Sequence, residues 1–284
     1  MSSPSTLTVG ESRWANRGWG LLAWVVGLIF FFPVFWMVLN SFKSEQDANT
    51  SPKLFFHPTL DRYRDVTKSA TGLLSFGEAF ANSAVVVLIS TAVVMALAIP
   101  AAYALAIRPV TKWRDVLFFF ISTKFLPVVA SILPVWILAR NFNLLNTRQS
   151  LIILYTGINL PLAVWMLRSF FQEVPRELIE AAEIDGASLR GQLTSIILPM
   201  AAPGIAATAL LCVIFAWNEF FFAVNLTAVN AQTMPVYLVG FIAGEGQYWA
   251  VLSAAATMAA LPVILCGWFA QNKLVRGLSF GAIK

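Results

Sequence analysis

Six apolar runs take up nearly half of this chain, and their lengths decide what it can fold into. They are Trp19–Leu39, Phe80–Ile107, Val116–Ala139, Leu151–Leu167, Pro203–Val224 and Tyr248–Ala270. A bilayer-spanning helix needs about 20 predominantly apolar residues, and each run is close to that, with the fourth the shortest. The first run is longer than a signal-peptide core, and no small-residue cleavage site follows it. Of the 284 residues, 58% are hydrophobic and only 12% are charged. A soluble domain carries about 25% charged residues. The reading is an all-α integral membrane protein with six transmembrane helices.

Loop charges orient those helices. Arg108, Lys112 and Arg114 crowd one short loop, and Arg168, Arg176 and Arg190 lie in the segment 168–202. The loop Asn225–Gln247 has no Lys or Arg. Basic short loops stay in the cytoplasm, so the N and C termini are both expected to be cytoplasmic. The chain then divides into a tail 1–18, a first span 19–39, an extracytoplasmic segment 40–79, a five-helix core 80–270 containing the cytoplasmic loop 168–202, and a tail 271–284. Arg140 and Arg148 sit in a loop that this scheme puts outside. Arg140 is expected to snorkel from its helix end.

The net charge of +5 is spread over short loops and tails, which excludes a nucleic-acid surface. Cys212 and Cys266 lie in apolar runs and read as inert core residues, and no metal-ligand spacing occurs. His57 is isolated in a polar segment and reads as a surface residue.

The loop 168–202 is a polar, acidic insert between two apolar runs. Pro175 suits a helix start, Arg176–Asp185 is rich in helix formers, and Gly186 supplies a left-handed stop. Ser188 can cap a second helix with Leu189, Leu193, Ile196 and Ile197 on one face, ended by Pro199. Glu177, Glu180 and Glu183 recur every third residue. Like charges so placed cost about 0.2–0.5 kcal/mol per pair. Glu183 and Asp185 also face the negative helix end. A basic partner would relieve both effects; a solvated acidic face fits the same spacing.

The order Glu180-Ala181-Ala182, then Asp185-Gly186-Ala187, then Ile196 and Leu198-Pro199 resembles the EAA loop of ABC-importer permeases. The resemblance implies a coupling hairpin gripped by an ATP-hydrolysing subunit, with Glu177, Glu180, Ala181, Ala182, Asp185, Gly186, Ala187, Leu198 and Pro199 as its contact set. From about Phe80 onward the chain is similar to the maltose-permease-like branch of carbohydrate importers. It is most similar to the mannitol/sorbitol polyol permeases, through Ser122–Pro127, Asn159-Leu160-Pro161, Val164–Leu167, Ala216–Glu219 and the ending Leu274–Lys284. That likeness implies the ABC-importer permease fold in a bacterial inner membrane, with Phe280, Gly281 and Lys284 reaching the ATPase dimer. It also implies a second homologous permease and an extracytoplasmic solute-binding protein as partners. No Gly-rich phosphate loop is present, so no cofactor is expected on this chain and it is not expected to be an enzyme; ATP and Mg would sit on the partner subunits.

Lys124 and Glu219 fall inside apolar runs, where a charge costs at least about 2.5–3.5 kcal/mol and faces a cavity or a partner. They are candidates for a mutual ion pair, structural or functional. Asn159, Asn218, Trp165 and Trp217 complete a candidate substrate path, although Asn and Trp in spans also serve helix packing. An ion-coupled secondary transporter would use Lys124 and Glu219 as a relay. Such transporters show internal repeats with broken helices in corresponding places, and none is evident here.

Overall fold

The computed structural model describes residues 13–50, 52–67, 74–108, 110–125, 127–242 and 248–280, with side chains described from 18 to 268 within these. The described residues are helical throughout, apart from their connections. In chain order the helices are α1 (Arg13–Asn40), α2 (Glu45–Thr50), α3 (Asp61–Thr67), α4 (Phe76–Ile107), α5 (Trp113–Ser122), α6 (Val128–Asn141) and α7 (Arg148–Gln172). Then come α8 (Arg176–Ile184), α9 (Leu189–Gly191), α10 (Leu198–Met200), α11 (Ala202–Trp217), α12 (Phe221–Leu226), α13 (Met234–Val239) and α14 (Trp249–Phe280).

Four helices are long and apolar enough to cross a membrane, and six spans result if each of two bent pairs crosses once. The first bent pair is α5 with its 3-10 extension Thr123–Phe125, followed by α6, at 93°. Pro127, at the N-cap of α6, marks that bend, whereas Pro134 sits inside α6 without breaking it. The second bend, of 80°, separates Leu189–Met200 from α11. The helix therefore continues past Pro199 and turns at Ala201 instead. The expected fifth span Pro203–Val224 is interrupted: α11 stops at Trp217, and α12 begins at Phe221. The fourth span behaves in the opposite way. Gly157, Asn159 and Pro161, residues that weaken a helix, lie inside it, yet α7 runs 25 residues unbroken. Its buried face is zipped along α4, and helices in this environment tolerate proline when neighbours hold them.

The core has two centres. One gathers Val86, Tyr155, Trp217, Met234 and Ala254, toward the start of α4 and α14. The other gathers Ala98, Ala102, Val164, Leu167, Phe171 and Cys212 with Ile179 and Ile197 of the polar insert. Small residues permit close packing at both. Ala250, Ser253, Ala254, Ala255 and Ala259 on α14 are buried, and Trp217 Nε1 donates to the Ala259 carbonyl at 3.2 Å. At Gly204 an added Cβ would sit 2.2 Å from the Phe170 ring, so the crossing of α7 and α11 requires glycine there. Cys266, expected in the core, is exposed. It lies on a part of α14 whose neighbours Ile264, Leu265 and Trp268 also face outward.

Segment 40–79 is built in by specific contacts. Glu45 accepts from the Ala250 and Val251 amides at 3.0 and 3.4 Å, capping α14 from α2. Tyr237 donates to the Val66 carbonyl at 2.9 Å. Lys43 is fully buried, with Nζ 4.5 Å from the Trp36 ring centre and 5.4 Å from that of Phe56. Burial pushes its ammonium below the usual lysine range, and nearby Asp47 acts in the other direction. His57 is exposed, as expected.

The loop Arg140–Ser150 holds both its arginines without an acid. Arg148 Nε donates to Asn82 Oδ1 at 2.6 Å, and Arg140 lies over the Trp136 ring. Asn82 in turn donates to the carbonyls of Asn230 and Gln232 at 3.1 and 3.0 Å. These bonds lock the loop to the connection before α13.

Candidate functional site

The polar insert folds as the hairpin its punctuation calls for. Pro175 occupies the N-cap of α8, one position before the expected start. Gly186 has φ of +77°, its amide donates to Glu183 O at 3.1 Å, and the Ala187 amide donates to Ala182 O at 2.9 Å. That crossed pair is a Schellman stop, which satisfies two end carbonyls and needs a left-handed residue at Gly186. Ala182 and Ala187 are the residues it brings together. Ser188 Oγ accepts from the Gly191 amide at 3.2 Å and starts the second arm.

The second arm departs from a simple amphipathic helix. Gln192–Ile197 forms a π-helical turn. The extra residue rotates the register, so Ile197 is fully buried, Leu193 and Ile196 are half-buried, and Leu189 is 55% exposed. The same rotation carries Gln192 into the core at 2% exposure. Its Oε1 accepts from the Tyr103 hydroxyl at 2.9 Å and lies 3.5 Å from Arg108 Nη2, while Nε2 donates to Ala187 O at 3.3 Å. Arg108 Nη1 is 3.2 Å from Glu183 Oε1. The hairpin is thus seated in the second core centre by an apolar foot, Ile179 and Ile197, and held to α4 by a polar clasp, Tyr103–Gln192–Arg108–Glu183.

The outward side of the hairpin carries Glu177, Glu180, Ala181, Asp185 and Gly186, all exposed, beside Leu178 and the 86% exposed Ile184. Leu198 is half-buried and Pro199 is exposed at the far end of the second arm. The clasp residues were not foreseen as a set. Arg108 and Gln192 join across 84 residues, and Arg108 and Glu183 across 75. The π turn that aims Gln192 inward leaves no local sequence sign.

A cavity of about 330 Å³ lies between α7, α11 and the bend after α5, lined by Lys124, Tyr155, Asn159, Phe215 and Glu219 among others. Three of the residues singled out for a solute path, Lys124, Asn159 and Glu219, therefore share one wall. The expected Lys124–Glu219 ion pair is absent among the described residues. Glu219 instead accepts from the amides of Phe222 and Ala223 at 2.8 and 3.2 Å, so its carboxylate caps α12 where the chain restarts. Asn159 is 3% exposed, and its Oδ1 has no partner. Tyr155, not foreseen, adds a hydroxyl that donates to Glu219 O at 3.4 Å. Trp217 and Asn218 line a separate cavity of about 300 Å³ against α13 and α14. Trp165 is 49% exposed and lines neither. Phe280 ends α14, while Gly281 and Lys284 lie outside the described residues.

Among the described residues no group of three or more His, Cys, Asp or Glu is arranged to hold a metal ion. The hairpin and the cavity are joined by α7 and α11, which run from one to the other.

Comparison with known proteins gives a consistent picture. The family described as the binding-protein-dependent transport system inner membrane component matches residues 95–279. A probable ABC transporter permease protein of Sinorhizobium fredii is 38% identical over 267 residues, covering 94% of this chain and 95% of that protein. The sulfoquinovosyl glycerol transport system permease protein of Agrobacterium fabrum is 34% identical, covering 89% and 88%. The trehalose/maltose transport system permease protein of Thermococcus litoralis is 33% identical, covering 92% and 94%. Among solved structures, a bacterial ABC transporter involved in importing the acidic polysaccharide alginate aligns with TM-score 0.75 at 21% identity, over 95% of this chain and 99% of that one.

Proposed function

Because the chain belongs to the family of binding-protein-dependent transport system inner membrane components, and is thus a permease rather than an enzyme, we propose that it forms half of the translocation path of an ATP-driven importer of a carbohydrate or sugar alcohol. A second permease of the same fold supplies the other half. A dimer of ATP-binding cassette subunits, holding ATP and Mg, docks on the exposed face of the hairpin from the cytoplasm. An extracytoplasmic binding protein delivers the solute on the opposite side of a bacterial inner membrane. Both chain ends then lie in the cytoplasm, and the C-terminal residues Phe280, Gly281 and Lys284 are assigned to contact with the ATPase dimer.

The observation that carries this reading is the hairpin's two-sidedness. One side is fastened to the end of α4 by the Arg108–Glu183 pair and to the second core centre by buried Ile179 and Ile197. The other presents Glu177, Glu180 and Ile184 to solvent. Such a rigid element transmits motion between a motor outside the membrane and helices inside it. Nothing in this mechanism requires chemistry on the chain itself. The cavity at Asn159 and Glu219 would meet the solute through hydrogen bonds, which suits a polyhydroxylated molecule. Sugar relatives support the carbohydrate class, and the motifs at 122–127, 159–161 and 216–219 support a sugar alcohol. Family membership does not favour an ion-coupled secondary transporter.

The deciding experiment reconstitutes the assembled complex and measures ATP hydrolysis with binding protein and labelled polyols or disaccharides. Solute-dependent stimulation of hydrolysis is expected. Uptake that survives ATP depletion and collapses with the ion gradient would overturn the proposal.

A further inference from the structure

A third cavity, of about 490 Å³, opens where α4 ends, α5 begins and α7 passes into α8. It is lined by Arg108, Thr111, Trp113, Arg168, Gln172 and Arg176, and no carboxylate is among its lining residues. Arg168 is its deepest group, only 8% exposed. Its Nε donates to the Leu105 carbonyl at 3.1 Å, its Nη1 donates to Gln172 Oε1 at 2.9 Å, and its guanidinium lies 3.8 Å from the Trp113 ring centre. All of these partners are neutral. Among the described residues, Arg168 has no ion pair, and its Nη2 has no hydrogen bond. A guanidinium with so little exposed surface and no counter-charge is costly, and an incoming anion would offset that cost. Arg108 is only partly balanced: Nη1 meets Glu183, but its buried Nε has no partner. Arg176 is exposed at the rim and makes no bond among the described residues.

From this we infer that the cavity binds the phosphate of an anionic phospholipid from the cytoplasmic leaflet. Guanidinium groups take phosphate oxygens through paired, charge-assisted hydrogen bonds, and three of them converge here. Thr111 and Gln172 add neutral donors. Trp113 is placed like the aromatic residues that sit at a membrane's headgroup level. Lys112, at the N-cap of α5, and Arg114, in its first turn, are both exposed and raise the local positive potential that draws an acidic headgroup. The apolar helix ends, Leu105 to Ile107, give the acyl chains a surface to follow into the bilayer. The site touches the clasp through Arg108, so an occupied cavity would stiffen the joint between α4 and the hairpin. The inference rests on the orientation proposed above, which puts this end of α4 in the cytoplasm.

The test uses the purified, delipidated transporter complex with labelled phosphatidylglycerol, labelled phosphatidylcholine and inorganic phosphate as separate probes. Phosphatidylglycerol is expected to be retained over phosphatidylcholine, and Arg176→Gln and Arg168→Gln are each expected to lower that retention about fivefold. Lys53→Gln, in the exposed segment between α2 and α3, is expected to change nothing. If Arg168→Gln fails to insert, Arg176→Gln still reads the same cavity from its rim. Equal retention of the two lipids, or unchanged retention in Arg176→Gln, overturns the site. Displacement of the lipid by millimolar inorganic phosphate overturns the lipid source and assigns the cavity to a free anion. Labelling of Lys112→Cys from outside the cell would instead sink the orientation, and that result is independent of lipid retention.

Discussion

Arg108, closing α4, and Glu183, on the hairpin helix α8, meet at 3.2 Å across 75 residues of chain. Their side chains are 34% and 47% exposed, so the pair contributes only about 0–1 kcal/mol to stability. Its value is positional, because it sets the angle of the hairpin on α4. Glu183→Gln is therefore expected to leave the melting temperature within a few degrees while lowering coupled uptake severalfold. Restored coupling in the reversed pair, Arg108→Glu with Glu183→Arg, would confirm a direct charge contact. Failure of that rescue, with the protein inserted, would count against it.

Gly186 has open space around it but a φ of +77°. A side chain there meets no neighbour, yet the backbone conformation costs an L-residue about 1–2 kcal/mol. Gly186→Val should relax the Schellman stop and reset the angle between the two arms. Insertion and expression are expected to persist while solute-stimulated ATP hydrolysis is lost. Gly186→Asn should be milder, since Asn tolerates the left-handed region. Normal uptake in Gly186→Val would sink the assignment.

Glu180 is exposed and makes no bond within the described residues. Glu180→Lys should change stability by less than about 0.5 kcal/mol. It is expected to abolish co-purification of the ATPase subunits. Retention of the ATPase by this variant would show that the acidic face is only solvated.

Asn159 is buried with an unpartnered carbonyl oxygen on the cavity wall. Leaving such a group unpaired costs about 1–3 kcal/mol, so Asn159→Leu should raise thermal stability rather than lower it. If the cavity meets solute, the same variant should raise the KM for uptake. A melting temperature that falls, with KM unchanged, would mark Asn159 as a packing residue.

Lys43 lies outside the spans, and burial holds its ammonium below the ordinary value of 10.5. The unfolded chain then binds more protons than the folded one between the lowered value and 10.5. Stability attributable to this residue must rise with pH across that window. Lys43→Met should remove the rise, which paired alkaline denaturation series of the two proteins would reveal.

The parts readable in the sequence were those fixed by neighbours in the chain. The Gly186 stop and the Ser188 cap depend on residues within a few positions, and both formed. The apolar runs marked the spans for the same reason. Interruptions were harder to place. Pro161 failed to break α7 because α4 supports that helix along its buried face, whereas Asn218–Phe220 did break the fifth span. Glu219 looked like half of an intramembrane ion pair. The break it caused gave it two free amides three and four residues ahead, and these satisfy it before Lys124 can. The clasp and the arginine cavity were invisible because each gathers residues from distant helices.

The first helix carries a final consequence. In its span Gly18–Asn40 the most apolar stretch has no buried residue, and residues 95–279, matched by the family, do not include it. Its hold on the rest includes a lean against α14, the Trp36 ring beside the Lys43 ammonium, and a latch through Glu45 of the following α2 to the Ala250 and Val251 amides. A helix attached so lightly is an outrigger. Its bare apolar length is the face this chain offers to lipid or to the second permease proposed above.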